Sequence, residues 1–362
     1  MIDYFFLLCC LLSFINVEIK GHDNFFEDYM NLDNTNSIKG IFVWMIIFCH
    51  KIGYGIKNEY IFTRIITCFG QNIVTMFLFY SGFGIKESIK NKGFNYAKTL
   101  LNKSVILLLK FEISLLLYLA ENIFILKNKI TLKSYILSAI FRNALGNSNW
   151  FVFTIILFYL YSYLSFIFTK NHYISILILN TISFFHVMLV YNYFYKRKIH
   201  TVATTLSFNI GFYYSLIKSK IDRIIMNNDI IYFGFTSIII FLYYYFYKIN
   251  SLIYNSILNV LFALLVVLIS MKIKFKNNFL NFLNLHSFSI YLLQKLIIIL
   301  VFKKNIFKNN NFIQISFEFT SIIFLACLFD KHTQFINRLF SSGRKRSQKF
   351  GYNIIKTMYL IN

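Results

Sequence analysis

The run Asn36 to His50, NSIKGIFVWMIIFCH, carries a cation near its start, Lys39, and an imidazole at its end, His50, with mostly apolar residues between them. An imidazole with its ordinary pKa near 6.5 accepts a proton from a hydroxyl at neutral pH, and an ammonium is a point charge for an anion. In a helix of 3.6 residues per turn, two positions eleven apart return to within about 20° of one another, about 16 Å apart along the axis. Lys39 and His50 therefore belong to one stripe. A charge and a titratable ring are costly against lipid, so that stripe is expected to face the protein interior or a wet cavity. Cys49 adjoins His50, but neighbours on a helix point about 100° apart, which argues for a buried apolar cysteine rather than a Cys/His nucleophile.

Other polar residues interrupt apolar runs where chemistry or pairing is expected. Lys110, Glu112 and Glu121 fall within one such run, and intramembrane ions are usually paired or functional, with snorkelling of Lys110 as the alternative. Asn147, Asn149 and Trp150 stand at the start of another, where a tryptophan is also an ordinary interfacial anchor. Tyr291 and Gln294 are three apart and share a helix face. Ser81 and Gly82 are small enough to serve close helix packing.

The elements that hold these residues are membrane helices. Of 362 residues 57% are hydrophobic, above the roughly 45–50% of soluble domains. Apolar runs recur near 4–19, 38–51, 61–85, 104–126, 150–169, 173–195, 199–217, 230–247, 252–271, 283–302 and 312–330. These predict an all-α polytopic protein of about ten or eleven spans with short loops and no separate soluble domain. The segment 134–146 is too short for a span and is expected to be re-entrant or interfacial. The organisation expected is a hydrophobic segment and linker over 1–33, a membrane domain over 34–330 and a basic amphipathic tail over 331–362.

The first run resembles a signal sequence in length but lacks a basic start and a small-residue cleavage site, so it is expected to be a span. Five cysteines without CxxC or Cys/His spacing predict neither a disulfide framework nor a metal site. The net charge of +23 is spread over span ends, which fits anionic lipid head groups rather than nucleic acid. Lys86, Lys90, Lys92, Lys98 and Lys103 crowd one loop, and Lys331, Arg338, Arg344, Lys345, Arg346 and Lys349 crowd the tail. Both are expected in the cytoplasm, with Lys39 near that face and His50 near the outer one; Lys196, Arg197 and Lys198 run against this orientation. Phe335, Ile336, Leu339 and Phe340 alternate with the tail's basic residues as in a helix lying on the inner surface.

Taken in order, several motifs resemble the membrane-bound acyltransferase-3 family, whose bacterial members include O-acetyltransferases of cell-surface polysaccharides. SIKGIFVWMIIFCH is similar to its signature of a basic residue, ten residues and a histidine, with Lys39 where arginine is more usual. MFLFYSGFGIKESIKNKG from Met76, NYAKTLLNKSVILLLKFEI, GNSNWFVFTIILFYL from Gly146 and LHSFSIYLLQKL from Leu285 resemble its later elements. The likeness runs from Asn34 to about Phe329. Departures are Lys39 itself, which loses an arginine's bidentate fork, Gln294 where relatives often have histidine, and the lack of proline.

The resemblance implies a multi-pass cell-membrane enzyme moving an acyl group from acyl-CoA, most simply acetyl-CoA as co-substrate, to a hydroxyl of a surface carbohydrate. It implies catalytic roles for His50, as general base, and Lys39. Donor or substrate binding is expected from Lys98, Lys103, Ser81, Asn149, Trp150, Glu112, Tyr291 and Gln294. A flippase or transporter of lipid-linked saccharides fits the composition equally well, but predicts paired repeats that the sequence does not display. A polymerase or glycosyltransferase commonly needs carboxylate pairs, and only fourteen acidic residues and no Asp-x-Asp motif occur here.

Overall fold

In the computed structural model the structure describes residues 2–54, 61–142, 145–249, 251–307 and 310–359, with backbone alone for 2, 61–68, 191, 193–199, 201, 252, 337 and 339–359. The chain is almost wholly helical. Its helices are α1 (Ile2–Ser13), α2 (Leu32–Ile52), α3 (Ile61–Lys92), α4 (Lys98–Ala120), α5 (Leu132–Ala139) and α6 (Trp150–Ile167), then α7 (His172–Ile225), α8 (Asp229–Tyr247), α9 (Leu252–Lys272), α10 (Asn278–Leu285), α11 (Ser287–Lys303) and α12 (Asn311–Tyr359). Side-chain oxygens start several of them. Asn31, Asn171, Asn228 and Ser251 each accept a backbone N–H from the first turn that follows.

Among the described residues five helical segments are long and apolar enough to cross a membrane, and the pair α10–α11, bent by 75°, makes a sixth. The chain is a multi-pass membrane protein by that measure. Eleven such segments were expected, and the shortfall has a physical source. Helices α2, α3 and α4, at 21, 32 and 23 residues, match a bilayer in length. They carry polar residues such as Asn34, Lys39, Asn72, Lys86 and Ser114, which the fold turns inward onto neighbouring helices. Helix α8 does the opposite: only 6% of its apolar window is buried.

Two boundaries differ from expectation. The first run does not continue to residue 19: α1 ends at Ser13, Asn16 takes a left-handed conformation (φ 57°), and Val17–Ile19 forms a strand, β1. It pairs antiparallel with β2 (Ile273–Phe275), Val17 opposite Phe275 and Ile19 opposite Ile273. A small ribbon thus interrupts the all-α plan and ties the segment after α1 to the end of α9. The tail is no separate element, since α12 runs on from the last span to Tyr359. Phe335 and Arg338 are exposed and Ile336 is buried, while the side chains of Leu339, Phe340, Arg344, Lys345, Arg346 and Lys349 lie outside the described residues.

Helix α7 is continuous in hydrogen bonding but cannot be straight. Asn209 Nδ2 donates to the side-chain Oδ1 of Asn180 at 3.0 Å, and Asn180 Nδ2 donates to the Tyr213 hydroxyl. Twenty-nine helical residues would separate 180 from 209 by about 44 Å. The chain therefore reverses between Val190 and Val202, making two antiparallel arms where two spans were expected. Helix α3 lies in contact with this hairpin. Gly82 and Gly211 allow that approach, because a Cβ on either would stand 2.2 Å from the carbonyl oxygen of Phe208 or Phe79.

Candidate functional site

His50 ends α2 inside a chamber of about 190 Å³ formed by α2, α3, α6, α7 and α11. Gln71 from α3, Trp150 from α6, His200 from α7 and Tyr291 from α11 complete the polar and aromatic wall. The His50 and Tyr291 rings lie 6.2 Å apart, Trp150 and His200 5.5 Å apart, and the His200 Nδ1 is 3.4 Å from the Gln71 Oε1. Gln294 and Lys295 of α11 are both within interaction range of the His50 ring.

Many polar atoms at this end of the bundle are buried without a partner. They include His50 Nδ1, Gln71 Nε2, Asn149 Nδ2, the Tyr291 hydroxyl and Gln294 Oε1, together with both side-chain polar atoms of Asn147 and both oxygens of Glu121. Each such group costs about 1–3 kcal/mol relative to a satisfied one. A fold that tolerates this many in one region has polar groups reserved for something that is not the protein itself.

Lys39 occupies a different cavity. It lines a space of about 590 Å³ with Thr35, Tyr80, Glu87, Lys92 and Lys218. The shared stripe on α2 is thus present, but its two ends open into separate chambers, and Lys39 and His50 do not meet. Between them lies an apolar cavity of about 160 Å³ that shares Ile46, Val74 and Tyr291 with the His50 chamber. Ser81 lines this middle cavity with Tyr159, not the His50 chamber, while its neighbour Tyr80 lines the Lys39 chamber. The three cavities follow one another along α2 and α3.

Around the Lys39 chamber several polar groups are engaged, although the buried Tyr80 hydroxyl has no partner. The Tyr29 hydroxyl lies 2.5 Å from that of Tyr214 and donates to Asp222 at 2.6 Å, and Lys218 pairs with the other Asp222 oxygen at 2.6 Å. Lys274 bonds Asp28 at 2.5 Å, and that hydrogen bond holds the Asp28 carboxyl below its ordinary range. Lys103 donates to the Tyr96 hydroxyl at 2.5 Å and lies over its ring, so it is committed to the protein. Lys98 is exposed at the start of α4.

The remaining expected residues separate into two groups. Asn149 and Trp150 start α6 beside the chamber, and Tyr291 and Gln294 flank His50. Glu112 is half-buried on α4 and lines none of the three cavities. Lys110 does not snorkel free: it pairs with Asp330 at 2.9 Å, and the same carboxylate accepts from Ser289 at 2.6 Å and contacts His286 at 2.7 Å. Gln71, His200 and Lys295 were not singled out in the sequence. Gln71 had a legible signal, an amide inside an apolar run, and His200 stands at the start of the run 199–217, directly after the basic stretch 196–198.

No family of sequences, no curated protein and no solved structure matches this chain.

Proposed function

We propose that the protein is an integral-membrane O-acyltransferase. It moves an acyl group, most simply acetyl, from acyl-CoA to a hydroxyl of a surface carbohydrate, with His50 as general base. The observation that carries this reading is the His50 chamber, where an imidazole with a free ring nitrogen shares the wall with Gln71, whose Nε2 has no partner, and Asn149 Nδ2 is unpartnered one residue before Trp150 of the same wall. In the step proposed, the acceptor hydroxyl oxygen bonds to the thioester carbonyl carbon as His50 takes its proton. The tetrahedral oxyanion accepts from nearby donors, for which Gln71 Nε2 and Asn149 Nδ2 are unoccupied. The carbon–sulfur bond then breaks, and the proton on His50 passes to the departing thiolate, leaving ester and free thiol.

The succession of cavities along α2 and α3 supports a route for the donor. Its charged portion belongs at the Lys39 end, where Lys39 and Lys92 line the largest of the three cavities described, with Lys218 beside them in its pair with Asp222. The narrower apolar cavity suits an extended thioester arm reaching towards His50. Lys39 acts in this reading as an anion-positioning residue, not a partner of His50 in proton transfer. Basic loops around Lys86 to Lys103 favour the cytoplasm for that end and a cell membrane as the location.

The test is the acetyl content of purified surface glycan by NMR, in cells carrying the wild-type gene, His50→Ala or a deletion, with membrane expression confirmed. Acetyl signal lost in both altered strains is the expected result. Unchanged acetylation with lipid-linked sugar retained inside would replace this reading by the transporter.

A further inference from the structure

Glu121 is used by none of the chemistry above, yet it is 2% exposed and neither of its oxygens has a partner. It opens a π turn, Glu121–Ile125, in which α4 widens before it ends. Such widened turns recur at functional positions because they cost helix stability. The turn is fixed to the chain that leads into α6. Asn122 donates to the carbonyls of Tyr118 at 2.8 Å and Leu145 at 3.3 Å, and accepts from Asn128 at 2.8 Å.

The segment held there continues into Asn147, Ser148 and Asn149, all buried, with Asn147 Oδ1 and Nδ2, Ser148 Oγ and Asn149 Nδ2 likewise unpartnered. Tyr118 is buried in a cluster with Leu145 and Leu296, and its hydroxyl donates to the Leu292 carbonyl at 2.9 Å, next in the chain to Tyr291 of the His50 chamber. Two segments therefore bring six unsatisfied polar atoms to the side of the His50 site.

We propose that Glu121 and the Asn147–Asn149 segment form a subsite for an uncharged, hydroxyl-rich group, the part of the acceptor next to the hydroxyl that is acylated. An ionised carboxylate only accepts hydrogen bonds and spans two adjacent hydroxyls, while amides and a serine hydroxyl supply donors and acceptors in return. In either protonation state Glu121 offers an anion no positive charge. Among the described residues Lys51 is paired with Glu318 at 2.6 Å, and Lys295 lies within range of the His50 ring. The subsite thus selects neutral sugars over uronic acids or sugar phosphates. It rests on the acyl-transfer reading for the name of its occupant, not for the binding itself.

The test uses the full chain in lipid nanodiscs with Trp44→Phe, which leaves Trp150 as the one tryptophan of the two. Quenching of Trp150 fluorescence by propyl β-glucoside and by propyl β-glucuronide measures binding without turnover, and thiol release from acetyl-CoA measures transfer to the glucoside. Expected results are binding of the glucoside at least tenfold tighter than of the glucuronide, and a loss of about tenfold for the glucoside in Glu121→Gln, the effect of one hydrogen bond to a charged group. In turnover Glu121→Gln raises KM for the glucoside and leaves kcat and the pH profile in place. Equal binding of the two glycosides by the wild-type chamber, or unchanged glucoside binding in Glu121→Gln, overturns the subsite. Selective binding without any thiol release overturns the acyl-transfer reading and leaves the subsite standing.

Discussion

The two ends of α2 bury polar groups in opposite ways. At the Lys39 end, tyrosines, carboxylates and lysines are joined into networks such as Tyr29–Asp222–Lys218 and Asp28–Lys274. At the His50 end, amides, an imidazole and a carboxylate lie buried without partners. The contrast sharpens to adjacent residues: Lys51 is paired with Glu318, at 4% and 3% exposure, while the next side chain, His50, keeps a free nitrogen. Satisfied burial holds a fold together, whereas unsatisfied burial is a cost that a binding partner relieves. The two ends thus differ in how many buried polar groups are left for a ligand to satisfy.

Substitutions can break that division, beginning with the largest effect. His50→Ala is expected to lower acyl transfer by about 10²–10⁴-fold, the usual contribution of a general base, while the thermal midpoint holds or rises because an orphaned polar group is gone. Activity and melting measured on the same purified sample check this; a fall in both together would return His50 to the scaffold. Lys51→Ala should do the reverse. Leaving Glu318 buried and alone costs about 3–5 kcal/mol of stability, with turnover per folded molecule retained, and replacing both partners by apolar residues restores the midpoint.

Smaller effects sharpen the comparison at the other end. Lys39→Ala is expected to raise KM for acyl-CoA by roughly tenfold with kcat little changed, as loss of a single charged contact would. Tyr29→Phe should cost about 1–3 kcal/mol in unfolding by leaving Asp222 short of a donor, without any change in KM. The smallest effect concerns acid. Asp28 titrates lower in the folded chain than its ordinary value, so its contribution is present above about pH 4 and disappears as pH falls through the depressed value. At 53% exposure the contribution is modest, and Lys274→Met should flatten the acid limb of stability against pH only slightly.

Much of this division was legible in the sequence, because the 3.6-residue period places Lys39 and His50 on one stripe and long apolar runs announce spans. Periodicity stops at the single helix. It gives no sign that the stripe opens into separate cavities, since that depends on where α3 and α11 cross α2. Likewise Lys110 looked like a neighbour of Glu112, but its counter-charge is Asp330, 220 residues away. Eleven apolar runs overstate the lipid-facing helices for a related reason: this chain's phenylalanines and isoleucines fill helix–helix contacts as readily as lipid contacts. Asn180 and Asn209 carry the fold of α7 back on itself, a pairing that no local pattern encodes.

The 75° break between α10 and α11 puts the start of α11, through Ser287 and Phe288, on the wall of the middle cavity. The first turn of a helix carries the positive end of its macrodipole, about half an elementary charge, and that end is costly where water is scarce. Asp330 meets this turn through Ser289 and also faces Lys110 and His286. A single carboxylate therefore serves as counter-ion to a helix end and to two side chains, so that the break in the backbone and the intramembrane lysine depend on the same charge.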